Sequence, residues 1–408
     1  MLNPGWRLYL SLYVALALAA GCEGPEGPAG LTGPPGLTGP AGQDGEDGTD
    51  GKDGKGTPLR AYVLQSACKP CHAEIHERWS RSGHAHAMVK VQGKKPDDPP
   101  FSAFPAMPPT DDKGKSYGWG DVTYVVGGFA WRALFADAKG YLVTGSQTAH
   151  VTKTGQWQAF EQQVAPGTTT LTCAECHTTG YVPADAHEVG FKQDGLEGAD
   201  GSWVEEGVGC ERCHGQGSTH VLAVGYGPIQ TDRSSEFCGR CHGKQPAGVI
   251  AAEDGLIAQA QQWNEIGSTK MRVVDCADCH DPHQSAHFDD PTVNPDRGVI
   301  TRCQTCHYDK VGKHKVAKHT QVGGGPDCVS CHMPRAVKVA VGNAALWTGD
   351  HRSHLFRVNT DPTAKQLSTD GKQVMPYLTF EWTCRQCHSD KTDKPDALLQ
   401  TNAAGYHD

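Results

Sequence analysis

Hydrophobic and polar positions follow a regular period in only a few stretches of this chain. Leu8 to Ala20 is largely apolar and stands behind Arg7, the pattern of a secretory signal over residues 1–21. At residues 73–81, Ile75 and Trp79 fall one turn apart and predict a short helix. Val122-Tyr124-Val126 and Phe129-Trp131-Leu134 have strand composition. Ala136 to Gly140 reads as a hairpin turn, and Tyr141-Leu142-Val143 returns from it. These pieces predict a small antiparallel β insert near 121–144, behind a proline-rich loop at 96–109. Ile250, Leu256, Ile257, Trp263 and Ile266 suggest one longer helix over 248–266, with Gly255 inside it. The rest is expected to be mostly irregular, with short α-helices.

Composition makes that expectation sharper. The 408 residues are 37% hydrophobic and 7% aromatic, with 50 glycines and 26 prolines. An ordinary core would be thin at that length, so something else must supply buried apolar surface. Residues 24–56 are a separate material, with glycine at every third position from Gly24 to Gly54. This is the Gly-X-Y repeat of a collagen triple helix, in which only glycine fits the axis. Fully extended, it is a stalk of roughly 100 Å. A flexible polar tether is the plainer reading. Before it, Leu18-Ala19-Ala20-Gly21-Cys22 resembles a lipobox, which makes Cys22 a lipid anchor. Glu23 after that cysteine resembles the pattern sent on to an outer membrane. The net charge of −9 argues against nucleic acid as a partner.

The chemistry lies in a five-residue word, Cys-x-x-Cys-His, written eight times. Its cysteines are Cys68 and Cys71, Cys173 and Cys176, Cys210 and Cys213, Cys238 and Cys241, Cys276 and Cys279, Cys303 and Cys306, Cys328 and Cys331, Cys384 and Cys387. Its histidines are His72, His177, His214, His242, His280, His307, His332 and His388. These words use sixteen of the 17 cysteines, leaving Cys22. The word is the attachment signature of c-type haem: both thiols become thioethers and the histidine is the proximal iron ligand. Structural zinc needs paired cysteines but has no use for a histidine after every pair. Eight haem c groups would also supply the missing apolar surface.

The second axial ligand decides what such a group does. A second histidine suits electron transfer, methionine raises the potential, and an open site admits a substrate. The first candidates for the far side of the irons are His84, His220, His283 and His354. His287, His314, His319, His150, His187 and His351 follow. His76 lies one turn after His72 on the same helix and is not expected to serve the same iron, and His407 is expected at a frayed terminus. Met333 directly follows a proximal histidine and cannot reach round to the opposite face.

Some words sit in longer patterns. Val208 to His220 resembles the GC-x-x-CHGPG-x-x-H segment of multihaem cytochromes c, with Gln216 in place of the usual proline. Cys279-His280-Asp281-Pro282-His283 resembles the CHDPH element of the same proteins. Trp79 to His84, Asp121 to Gly145 and Gly349 to His354 look like segments of surface cytochromes from metal-respiring bacteria. The superfamily includes hydroxylamine oxidoreductase, its tetrahaem partner, nitrite reductase and tetrathionate reductase. The resemblance implies a multihaem cytochrome c fold, with His220 and His283 as distal ligands. Reductases of this group often mark the catalytic haem with Cys-x-x-Cys-Lys, and all eight words here end in histidine.

The expected organisation is a signal at 1–21, a lipid anchor and stalk at 22–56, the first haem and β insert at 57–166, and seven haems at 167–408. The expected function is electron transfer along eight haems, with no catalytic residue. The partners would be redox proteins and extracellular metal acceptors, with a membrane reached through the lipid anchor and a homotrimer through the stalk. The expected location is a surface-displayed outer-membrane lipoprotein, or the periplasm. Two rivals stand beside it: a reductase of a nitrogen or sulfur oxyanion with one open haem, and a structural, filament-forming cytochrome.

Overall fold

The computed structural model describes residues 61–186, 191–222, 229, 231–286, 298–311, 328–392 and 394–407. The signal, Cys22 and the Gly-X-Y stretch lie outside them, as do His187, His287, His314 and His319. The described residues belong to one compact unit, Pro58–Asp408. None of their helices is long and apolar enough to cross a membrane.

Helices are short because each is wound around a Cys-x-x-Cys-His word or props one up. In chain order they are α1 (Gln65–Cys68), α2 (Ala73–Ser80), α3 (Ala174–His177), α4 (Cys210–His214) and α5 (Ser218–Leu222). Then come α6 (Ser235–His242), α7 (Gln262–Gly267), α8 (Cys276–Cys279), α9 (Cys303–Cys306) and α10 (Cys328–His332). The last two are α11 (Phe380–Cys384) and α12 (Asp396–Ala403). The helix expected at 73–81 is α2, which buries Trp79.

The expected insert is present but larger than its sequence signal. Five strands, β1 (Met88–Lys90), β2 (Val122–Gly127), β3 (Arg132–Asp137), β4 (Gly145–Val151) and β5 (Gln156–Phe160), form an antiparallel sheet in chain order. Val125 pairs with Phe135 across β2 and β3, and His150 pairs with Trp157 across β4 and β5. Each face of this sheet is apolar. One packs Tyr124, Val126, Leu134 and Ala149 on Leu171, Ala174 and Trp203. The other packs Val125, Ala133 and Phe135 on Phe104, Tyr117 and Trp119. A sheet buried on both faces loses the clean alternation by which strands are recognised. The return at 141–143 is a single bridge from Leu142 to Ala136, and the strand proper starts at Gly145.

The long helix expected over 248–266 is not formed. Residues there make two short strands, β8 (Ala252–Glu253) and β9 (Leu256–Ala258), before α7; β6 (Thr178–Thr179) and β7 (Glu205–Glu206) precede them in the chain. Asp254 and Gly255 have φ of 49° and 78° and make the turn between β8 and β9, which a helix cannot contain. β9 runs parallel to β10 (Arg335–Asn343), which pairs antiparallel with β11 (Thr348–Arg352). This second sheet carries a core of Ile250, Leu256, Ile257, Val337, Leu355 and Trp382.

Candidate haem sites

Each word is held as a single helical turn. The amide of His72 donates to the Cys68 carbonyl at 3.0 Å, and His177, His280, His307 and His388 make the same bond to Cys173, Cys276, Cys303 and Cys384 at 2.9–3.0 Å. Residues three and four apart share a helix face. The two thiols and the imidazole of a word therefore point the same way. At the fourth word the helix also carries a close neighbour. A Cβ on Gly239 would stand 2.6 Å from the Trp263 ring, so only glycine lets α7 lie against this turn.

All eight words open on one continuous cavity of about 4330 Å³. Pockets for single small molecules run to about 1,000 Å³, so this space is shaped for several large bodies. Its walls are apolar where water would otherwise reach them: Val273 is 85% and Ile300 59% exposed, and both line it. Val126, Phe129, Trp131 and Leu134 bring the β2–β3 hairpin of the five-stranded sheet onto the same cavity. None of the sixteen thiols is in a disulfide. Apolar walls, paired thiols and inward imidazoles together fit covalently held haem.

Histidines face each other across this cavity in pairs. Ring centroids of His72 and His220 are 6.3 Å apart, and those of His84 and His242 also 6.3 Å. His214 and His283 are 6.1 Å apart, His280 and His354 6.2 Å, and His332 and His407 6.0 Å. Two imidazoles bound to one metal at about 2 Å each, plus the ring radii, require a spacing of roughly 6 Å. In three pairs the ring planes are within 24° of parallel.

The rings are also aimed. His177 donates from Nδ1 to the Ala87 carbonyl at 2.7 Å, His332 to Phe356 at 2.6 Å, and His84 to Pro282 at 3.0 Å. His283 uses Nδ1 toward the Asp281 carboxylate at 2.7 Å, and His214 toward the Thr231 hydroxyl at 2.7 Å. A donating Nδ1 leaves the Nε2 lone pair for a metal and fixes the ring plane. Burial lowers the pKa of His84, His177, His214, His280 and His332, of His242 to about 4, and of His354 to about 3. The neutral ring is the form that binds a metal.

The remaining histidines fall elsewhere. His150 is buried in the five-stranded sheet, its ring 5.1 Å from Trp157, and it does not line the cavity. The strand register turns it into the sheet's own core. His351 lines the cavity 5.0 Å from Trp131 and 6.5 Å from His354, itself a distal candidate. His76 packs on Trp79 of its own helix. Sequence reasoning passed over His407 as a residue of a frayed terminus.

The thiols give the order of the words in space. Cys68 lies beside Cys210, Cys176 beside Cys241, Cys238 beside Cys276, and Cys303 beside Cys328. Cys213 and Cys241, Cys279 and Cys306, and Cys331 and Cys384 are electrostatic neighbours. The row runs first, third, fourth, fifth, sixth, seventh, eighth, with the second word beside the fourth.

A family model described as cytochrome c554 and c-prime matches residues 67–99 and 143–215, which hold the first three words. The chain is thus similar to multihaem c-type cytochromes. The chain is 23% identical over 241 residues to dissimilatory sulfite reductase MccA of Wolinella succinogenes, a match covering 52% of the chain and 30% of the relative. It thus spans under a third of that relative's length. Among solved structures it is similar to the outer cell wall cytochrome OcwA, with 17% identity, a TM-score of 0.49, and 83% and 86% of the two chains covered. It is also similar to the Wolinella succinogenes octaheme sulfite reductase MccA, with 16% identity and the same TM-score over 82% and 66% of the chains. An undecaheme cytochrome from the S-layer of Carboxydothermus ferrireducens matches at 16% identity and a TM-score of 0.45, over 84% and 59%.

Proposed function

We propose that this cytochrome carries eight haem c groups and moves electrons along them. The observation that supports this most is the row of words itself, in which every word has another word's thiol as a neighbour. Haem, when bound, supplies one-electron redox chemistry. The chain's own residues do the rest. The thiols fix each group by its edge. His72, His242, His214 and His280, each opposed by His220, His84, His283 and His354, close both faces to other ligands. The apolar walls keep water out. For the sixth and eighth words, candidate partners among His287, His314 and His319 lie outside the described residues. The signal, Cys22 and the Gly-X-Y stretch support an exported, surface-mounted role, with redox proteins and extracellular metals as partners.

One observation favours a second reading. Among the described residues, no second imidazole is seen opposite His177, and the candidate His187, ten residues on, lies outside them. The charged groups nearest this word include the Lys244 ammonium, close to both His177 and Cys173, and the Arg132 guanidinium, close to Cys173. The Glu161 carboxylate and the His84 ring also lie near this word, but its two cations would suit a small oxyanion, in line with the sulfite reductase relative. Spectra of the oxidised protein with and without sulfite or nitrite separate the two readings. A carrier with closed faces leaves the spectra unchanged; a high-spin signal that shifts on adding the anion sinks that reading and supports reductase chemistry at the second word.

A further inference from the structure

The segment after the eighth word does something its position does not suggest. Thr383 and Cys384 end α11, and the chain then loops into α12 and a turn ending at Tyr406 and His407. That segment is latched to the eighth word. Arg385, only 1% exposed, pairs with Asp396 at the start of α12, and its other nitrogen donates to the His388 carbonyl at 2.6 Å. Leu399 of α12 is buried. The Tyr406 hydroxyl lies near the thiols of both Cys331 and Cys384, so the segment crosses from the eighth word to the seventh.

At the seventh word the His332 ring is set by its bond to Phe356, and His407 stands 6.0 Å away with its plane within 21°. Both rings line the cavity. The spacing matches the four other facing pairs, at 6.1–6.3 Å. Met333 is excluded by its place next to His332. From this we infer that His407 is the sixth ligand of the haem held by Cys328, Cys331 and His332, delivered by an arm that Arg385 and Asp396 fasten to the neighbouring word.

The inference rests on the proposal that the seventh word is loaded. Its consequence is that the ligation of one haem depends on an ion pair made at the next. The arm reaches its target through α12 and the turn at Tyr406, so weakening the latch should release the ligand without touching either attachment word.

The test uses the full-length holoprotein, with mass spectrometry of the peptide containing Cys328 and Cys331 to establish that the seventh word carries haem. His407→Ala is expected to convert one haem equivalent from low to high spin, reversed by added imidazole. Asp396→Asn should give the same change in part. His407→Met, which also serves if the alanine variant does not accumulate, is expected to keep that haem low-spin and to raise one reduction potential. A loaded seventh word with unchanged spin states in His407→Ala, or unchanged potentials in His407→Met, overturns the ligand assignment alone. An unmodified Cys328–Cys331 peptide overturns both this inference and the proposal beneath it.

Discussion

At the scale of single residues the account rests on imidazoles held neutral and aimed. His354 shows how burial keeps one neutral. Its ring is buried 6.2 Å from His280, and its backbone N–H donates to Glu265 at 2.6 Å. Burial raises the Glu265 pKa to about 8, so this carboxyl is largely protonated near neutrality. His354→Ala should therefore add one high-spin haem equivalent by electron paramagnetic resonance, whereas His76→Ala, on a ring packed against Trp79, should add none. Much of this was legible in the chain. His220 and His283 lie within a few residues of a word, and the elements around them resemble known patterns. Which word each one faces was not legible: His84 looks across to the fourth word and His354 to the fifth, and only folding sets those pairs. His407 carried no local signal at all.

At the scale of elements, a Cys-x-x-Cys-His word is already a helical turn, so its shape can be read directly. The sheets are harder. The five-stranded sheet hides its alternation by being buried on both faces, and the second sheet depends on β9 meeting β10 from far along the chain. The apolar spacing at 248–266 fitted a helix until Asp254 and Gly255 put a turn in it. One contact ties the five-stranded sheet to the loop beyond it. Asp194 accepts from the Tyr124 hydroxyl at 2.5 Å and pairs with Lys90 at 2.7 Å. Burial opposes its charge, but the hydrogen bonds from Lys90 and Tyr124 outweigh that and hold its pKa below the usual range. A lowered pKa stabilises the fold above the unfolded value, about 3.9, and the benefit fades as pH falls through the folded one. Asp194→Asn should cost about 1 kcal/mol at pH 7 and progressively less toward pH 3, measured as the difference in thermal midpoint.

At the scale of the whole molecule, the words fix the class of cofactor, and folding determines the circuit. The second word lies beside the fourth, although the third comes between them in the chain. A branch of this kind gives the molecule one position off the main row. The cavity explains the composition: a chain that is 37% hydrophobic encloses about 4330 Å³ with apolar walls and relies on bound groups to fill it. The most direct measurement is the number of haems covalently attached to the purified protein, by intact mass together with a haem-to-protein ratio. The account predicts eight, with all sixteen motif thiols modified. Fewer than eight, or words left as free thiols or filled with zinc, would contradict it.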